Sequence, residues 1–120
     1  MTYVFLADGP ERRTVWSPVS RAGALYVGMI NVVADVYAAP TGMTARADDL
    51  HVIDPDRFEA FVRHVLSAYT STTHGEILAL LDGVLPPSTV LLERCGRPLA
   101  PRNDGERAVV ERGRALNMVW

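Results

Sequence analysis

An almost continuous run of large aliphatic residues between Gly75 and Arg94 constrains the fold of this chain more than any other stretch. A segment that is apolar on nearly every side is normally surrounded by its neighbours in the folded protein. The run therefore predicts a central hairpin or kinked helix, hidden from water. Pro86 and Pro87 lack the backbone donor that a helix interior needs, so they either kink the helix near Leu85 or end it there. The aliphatic members are Ile77, Leu78, Leu80, Leu81, Val84, Leu85, Val90, Leu91 and Leu92.

Length, charge and cysteine content indicate one domain of a cytoplasmic protein. The chain has 120 residues, of which 48% are apolar and 22% charged, so we expect a single domain over residues 1–120 with one core. The net charge of −2 and the lack of a basic run argue against a nucleic-acid partner. Cys95 is the only cysteine, which excludes an internal disulfide and favours a reducing compartment. Neither a secretion signal nor a membrane span is predicted.

Local start signals predict three further helices around the aliphatic run. Ser17 and Asp54 each precede a proline, which is the usual arrangement of a capping side chain and the first helical residue. Asn103 is followed three residues later by a glutamate, as in a capping box, and so is Thr73 before the aliphatic run. The stretches 2–6 and 13–16 are typical of two strands joined by a turn. We therefore predict a mostly helical α+β fold, with about four helices packed as a bundle and a small N-terminal β-hairpin.

The helix that follows Ser17 has apolar residues at three- and four-residue steps, which predicts the face that it buries. Its opposite side carries Arg21, Gly28 and Asp35. The stretch from Thr41 to Asp54 is predicted as the longest irregular connection, with a short strand over residues 51–53 as an alternative. The predicted buried face of this first helix consists of Ala22, Leu25, Tyr26, Met29, Val33, Val36 and Tyr37.

Three side chains are candidates for acid–base catalysis. His51 and Asp49 lie in the predicted long connection, where functional residues are often found. His74 lies at the start of the helix in the aliphatic run, where the positive helix end favours a neutral imidazole. Each has a plainer explanation, as a buried, capping or solvated residue. The histidines and the cysteine do not have the spacing of metal ligands, and no nucleotide-binding motif is present, so we predict no metal and no cofactor.

Three other residues are candidates for ligand binding. Trp16 and Tyr26 belong to a set of aromatic residues that either line an apolar pocket between helices or form ordinary core. Asp82 lies inside the aliphatic run, where an unpaired carboxylate would be costly, so it needs a cationic partner. We expect that partner to be Arg21, Arg94 or Arg97, with a buried structural pair and a catalytic acid as the two interpretations.

Several short motifs between Val15 and Gly96 resemble a family of small uncharacterised actinomycete proteins. They read Val-Trp-Ser-Pro, Pro-Thr-Gly, Ala-Asp-Asp, Ile-Asp-Pro-Asp-Arg-Phe-Glu-Ala-Phe-Val, Thr-Thr-His and Val-Leu-Leu-Glu-Arg-Cys-Gly. The resemblance implies no catalytic role, because that family has no assigned activity. It does place Trp16, Asp49 and His74 within the family's motifs.

Two functions are compatible with these patterns. The first is a binding protein that acts through protein–protein contact, such as an immunity-type or regulatory partner. A homodimer is expected, because an apolar helix layer can bury itself against a second copy. The second is a small cofactor-independent enzyme, of the isomerase or cyclase type, acting on a small apolar ligand. It would use an interhelical pocket with His51, His74 or Asp49 as acid or base.

Overall fold

The computed structural model describes residues 2–120, which contain five helices and four strands. The strands are β1 (Val4–Ala7), β2 (Arg13–Trp16), β3 (Met43–Ala47) and β4 (Leu50–Ile53). The helices are α1 (Ser20–Tyr37), α2 (Pro55–Ser71), α3 (Gly75–Leu81), α4 (Leu85–Arg94) and α5 (Asp104–Arg114). The predicted α+β class and the N-terminal hairpin are confirmed. The helices and one face of the sheet share a single buried core.

The four strands form one mixed sheet in the order β2-β1-β4-β3. β1 pairs antiparallel with β2 and parallel with β4, so that Phe5 lies beside both Trp16 and His51. The predicted irregular connection from Thr41 to Asp54 is therefore wrong over most of its length, because it forms the β3–β4 hairpin. The alternative of a short strand at residues 51–53 is correct. Backbone pairing on both sides of β4 outweighs the polar composition of this stretch.

α2 begins where the sequence predicts. The Asp54 side chain accepts hydrogen bonds from the backbone N–H groups of Asp56 and Arg57, at 3.0 and 3.2 Å, and Pro55 follows in the first turn. Its apolar residues recur at three- and four-residue steps, and five of them are buried. The start of α1 differs from the predicted one at Ser17. The helix begins at Ser20, after Val19, and has no side-chain cap. The buried residues of α2 are Phe58, Phe61, Val62, Val65 and Leu66.

The aliphatic run forms two helices rather than one. Pro86 and Pro87 lie in the first turn of α4, where a missing donor costs nothing, so the prolines open a new helix bent by 41° from α3. This raises the helix number from the predicted four to five. Within residues 2–120 no single helix is long and apolar enough to cross a membrane, and only α3 and α4 taken together reach that length and composition.

The second half of the aliphatic run is largely hidden from water, whereas the first half is hidden on one side only. Leu91 and Leu92 of α4 are fully buried, whereas Leu80 of α3 is 74% exposed. The prediction that the whole run is surrounded is therefore wrong for α3, which packs mainly against α2 and leaves its other side open. The predicted capping box at Thr73 also does not form, because His74 occupies the capping position without a side-chain hydrogen bond.

α5 begins at the predicted cap and packs closely on α4. The Asn103 side chain accepts a hydrogen bond from the Glu106 N–H at 2.8 Å. Gly113 allows the close approach, since a Cβ at that position would lie 2.5 Å from the Pro86 carbonyl oxygen. The α4–α5 pair is thus part of the core, and α5 is less peripheral than its charged composition indicates.

α1 buries only part of the predicted face, since Tyr26, Val33 and Tyr37 pack on the core and the other predicted residues do not. Gly23, Tyr26 and Ile30 are its buried residues, while Leu25 and Val36 are mostly exposed. The ring of Tyr3 occupies the space that a side chain at position 23 would need, so the helix lies on its glycine side. Of the predicted buried face, only Tyr26 is fully buried. The helix therefore turns much of its apolar surface toward solvent.

Candidate functional site

A stripe of apolar side chains runs along the solvent side of α1. Leu25, Met29, Val32 and Val36 are 64%, 39%, 61% and 72% exposed. Together with Ala22, which precedes them at the same spacing, they form what we call the apolar face of α1. Isolated exposed apolar residues are common, but a contiguous patch of this kind usually marks a contact surface. Val32 was not singled out from the sequence, although the alternating three- and four-residue spacing of this stripe was a signal that could have revealed it.

A groove between α1 and α3 adjoins this face. It has a volume of about 420 Å³ and its lining is almost wholly apolar. Val33 and Val36 form the α1 side, and Ile77 and Leu80 form much of the α3 side. A groove with so few polar groups can bind apolar side chains, but it offers little to orient a polar substrate.

A second groove lies between α1, the start of α4 and the C-terminal segment. Its volume is about 650 Å³, and it brings together all three residues predicted to bind a ligand, namely Trp16, Tyr26 and Asp82. The Trp16 and Tyr26 rings make an edge-to-face contact with centroids 5.4 Å apart. Both side chains are at least nine-tenths buried, so they form the floor of this groove and belong to the core at the same time.

The Tyr26 hydroxyl has a structural partner. It lies 2.7 Å from the Ser88 Oγ, and that Oγ donates its own proton to the Val84 carbonyl oxygen at 2.7 Å. The Tyr26 hydroxyl is therefore the donor in the first of these bonds. Burial strongly raises the pKa of Tyr26. A phenol held in this protonated state fixes α1 to α4 and is a poor general base.

Asp82 pairs with none of the three arginines expected from the sequence. Its Oδ1 accepts hydrogen bonds from the Tyr69 hydroxyl at 2.6 Å and from the Arg112 guanidinium at 3.0 Å. The Asp82 side chain is 38% exposed, so the predicted buried pair is instead a half-exposed cluster at the rim of the second groove. It ties the α3–α4 turn to α2 and α5.

Arg94 holds the C-terminal segment that forms one wall of the second groove. Its guanidinium donates to the Val15 carbonyl oxygen at 2.9 Å and to the Met118 carbonyl oxygen at 2.7 Å. It also lies 4.1 Å from the centroid of the Trp120 ring. These contacts explain why Arg94 does not serve as the partner of Asp82.

His51 is buried in β4, where its ring packs beside two aromatic rings. The imidazole lies 5.4 Å from the Phe5 ring and 5.6 Å from the Tyr3 ring, measured between centroids. Its Nδ1 is buried without a hydrogen-bond partner among residues 2–120. Burial lowers the pKa of His51, and the nearby Asp49 carboxylate acts in the opposite direction. A neutral imidazole inside an aromatic layer is consistent with a role in packing.

The three candidate catalytic residues are not arranged as one site. Asp49 is exposed in the β3–β4 turn and influences His51 electrostatically. His74 is exposed at the start of α3, on a separate element. None of the three lines either of the two grooves beside α1.

Titration of His51 gives a prediction about stability. Because the folded-state pKa is lowered, the unfolded chain binds the proton more readily than the folded protein below the ordinary value of 6.5. The contribution of His51 is therefore complete above pH 6.5 and is lost as the pH falls toward the folded-state pKa. We expect the free energy of unfolding of His51→Phe, measured in urea, to depend less on pH than that of the unmodified protein. The relevant range is about pH 5 to 7, where histidine titrates. The exposed His64→Gln change serves as the control and should keep the original dependence; equal pH slopes for all three proteins would contradict this account of His51.

The Cys95 thiol is buried in the core. Burial raises the pKa of the Cys95 thiol to about 11, against the smaller opposing effects of Arg13 and Arg97. The thiol is therefore almost wholly protonated near neutral pH and a weak nucleophile. Among residues 2–120 no three His, Cys, Asp or Glu side chains lie close enough together to hold a metal ion.

The fold and its surface define an α+β protein whose most distinctive feature is an exposed apolar helix face beside an apolar groove. The chain belongs to DUF6086, a family of unknown function, whose sequence pattern matches residues 1–119. The family therefore covers nearly the whole chain, beyond the stretch from Val15 to Gly96 that carries the resemblance. No curated protein and no solved structure matches the chain. The family transfers no catalytic residue.

Proposed function

We propose that this protein is a binding protein that works by protein–protein contact through the apolar face of α1 and the adjoining α1–α3 groove. The observation that carries the proposal is the exposure of four large apolar side chains of α1 in one continuous stripe. Such surface loses contact with water when a partner covers it, which favours association. An immunity-type or regulatory partner fits this mode of action.

The distribution of reactive groups supports the same proposal. His51 lies in the sheet, His74 lies at a helix start, and Asp82 is held by a tyrosine and an arginine. Acid–base catalysis would need two such groups within reach of one substrate. The stripe on α1, by contrast, is continuous, and most of its side chains are exposed. A cytoplasmic location and an actinomycete source belong to this proposal as well. The first rests on the single cysteine, and the second on the resemblance of the motifs between Val15 and Gly96.

Photo-crosslinking in living cells tests the proposal. A photoreactive amino acid at position Val32 or Leu80 is expected to give covalent adducts with a protein, because both side chains belong to the proposed contact surface. The same amino acid at Ala60, exposed on α2, serves as the matched control and should give none. Labelling of the three positions to the same low extent would contradict the proposal.

The alternative function is the binding of a small apolar ligand in the second groove. The protein would then act either as a ligand-binding protein or as an isomerase or cyclase. The observation that favours it is the aromatic floor formed by Trp16 and Tyr26, with Asp82 and Arg112 at the rim. If this were the main function, Asp82 would be the nearest acid–base group, and Val32 would give no protein adduct. The crosslinking experiment therefore separates the two candidates.

A further inference from the structure

We infer that the partner of the apolar face of α1 is the same helix of a second copy of this chain, in an antiparallel arrangement about a two-fold axis at Gly28. The inference rests on the proposed function, since it names the occupant of that contact surface. It is carried by three features of α1, namely the spacing of its exposed apolar side chains, the placement of its two charges, and the position of its central glycine.

The exposed stripe has the spacing of helices that pack along one another. Positions 22, 25, 29, 32 and 36 are separated alternately by three and four residues, which is the seven-residue repeat of paired helices. The repeat extends over most of the 18 residues of α1. The buried residues Gly23, Tyr26 and Ile30 lie on a different side of the helix, so this repeat is not used by the core of the chain itself.

The charges of α1 specify both the partner and its direction. Arg21 and Asp35 are the only charged residues of this helix, and they lie two repeats apart along the same edge of the stripe. Within residues 2–120 neither side chain makes an ion pair or a side-chain hydrogen bond. In an antiparallel pair of copies, Arg21 of each copy faces Asp35 of the other. A foreign partner would have to reproduce this charge pattern, whereas a second copy possesses it.

Gly28 lies midway between Arg21 and Asp35, and therefore at the two-fold axis of such a pair. Among residues 2–120 nothing lies within 4 Å of a Cβ built at this position, so no contact in the described part of the chain requires a glycine there. Glycine in a helix interior is unfavourable unless something else needs the space. In the antiparallel pair the two copies of Gly28 face each other at the two-fold axis, along the edge of the stripe that carries Arg21 and Asp35. The absence of a side chain there lets the two helices approach closely.

Crosslinking between single cysteines tests the direction and the axis of the pair. In an antiparallel pair, residues at the axis meet their own equivalents, while the two copies of Arg21 lie about 21 Å apart, at about 1.5 Å per residue. Treatment with a short bis-maleimide should therefore crosslink Gly28→Cys into covalent dimers and leave Arg21→Cys largely uncrosslinked. A mixture of Arg21→Cys and Asp35→Cys proteins should crosslink to each other. The unmodified protein, whose only thiol is the buried Cys95, is the control.

Each outcome supports or overturns the inference. Dimers from Gly28→Cys and from the mixture, with little from Arg21→Cys alone, support the antiparallel pair. Equal crosslinking of Arg21→Cys with itself would show a parallel pair and overturn it. The absence of dimers from both Gly28→Cys and the mixture also overturns it, and the mixture remains informative if a side chain at position 28 disturbs the crossing. If these crosslinked dimers do not form but the photoreactive amino acid at Val32 still gives adducts with another protein in cells, only the identity of the partner is wrong. If neither the dimers nor the adducts form, the proposed function is wrong as well.

Discussion

Leu81→Asp is expected to abolish cooperative folding, while Leu80→Asp, the same substitution one residue earlier, is expected to leave the protein folded. Leu81 is 4% exposed and Leu80 is 74% exposed, although both lie in the last turn of α3. An aspartate at position 81 would place a carboxylate in the core without a partner, which costs about 4 kcal/mol or more. That loss is comparable to the total stability of many small domains.

Circular dichroism during thermal and urea unfolding measures both variants. We expect no cooperative transition for Leu81→Asp and a helical spectrum with a cooperative transition for Leu80→Asp. Two variants that unfold alike would show that the inward and outward sides of α3 are assigned incorrectly. The pair therefore tests the finding that the first half of the aliphatic run is buried on one side only.

Val32→Asp is expected to weaken self-association by about 100-fold or more, which corresponds to about 2.8 kcal/mol at room temperature. Val32 is 61% exposed in the single chain, so an aspartate there is hydrated in the monomer and the fold is unaffected. In the antiparallel pair the same position is covered in both copies, and the two carboxylates would lose water without gaining a cation. The expected loss is therefore in association and not in folding.

Sedimentation velocity over a range of concentrations gives the association constant. Val119→Asp is the matched control, because Val119 is a similarly exposed valine, at 54%, that lies outside α1. We expect Val119→Asp to associate like the unmodified protein. Equal effects of the two substitutions would indicate a general response to added negative charge and would contradict a contact centred on α1.

The parts of the fold that depend on residues close together in the sequence could be predicted. Asp54 followed by Pro55 begins α2, and Asn103 begins α5, because each cap acts within its own first turn. The 3.6-residue period of α2 also identified its buried side, since that helix is apolar on one side only. The α+β class follows from elements of this kind.

The orientation of α1 could not be predicted in the same way, because this helix is apolar on two sides. Periodicity shows that Leu25 and Tyr26 both belong to apolar positions, but it does not show which of them faces the sheet. That choice depends on Tyr3, which precedes β1 and whose ring fills the space beside Gly23. The outward side was consequently assigned to the core, although it is the most distinctive surface of the molecule.

The three candidate binding residues, Trp16, Tyr26 and Asp82, line one groove, and ligand binding there stays a prediction. The partner predicted for Asp82, in contrast, is wrong. The partner of Asp82 is Arg112, thirty residues away in sequence, because α5 returns across the α3–α4 turn. No local pattern encodes such a pairing.

The molar mass of the unmodified protein in solution tests the central claim most directly, namely that the apolar face of α1 is covered by a second copy. Size-exclusion chromatography with light scattering should give twice the chain mass of 13.1 kDa at high protein concentration, and a mass that falls toward 13.1 kDa on sufficient dilution. A mass of 13.1 kDa at every concentration would contradict the claim, because the stripe on α1 would then face water in the free protein.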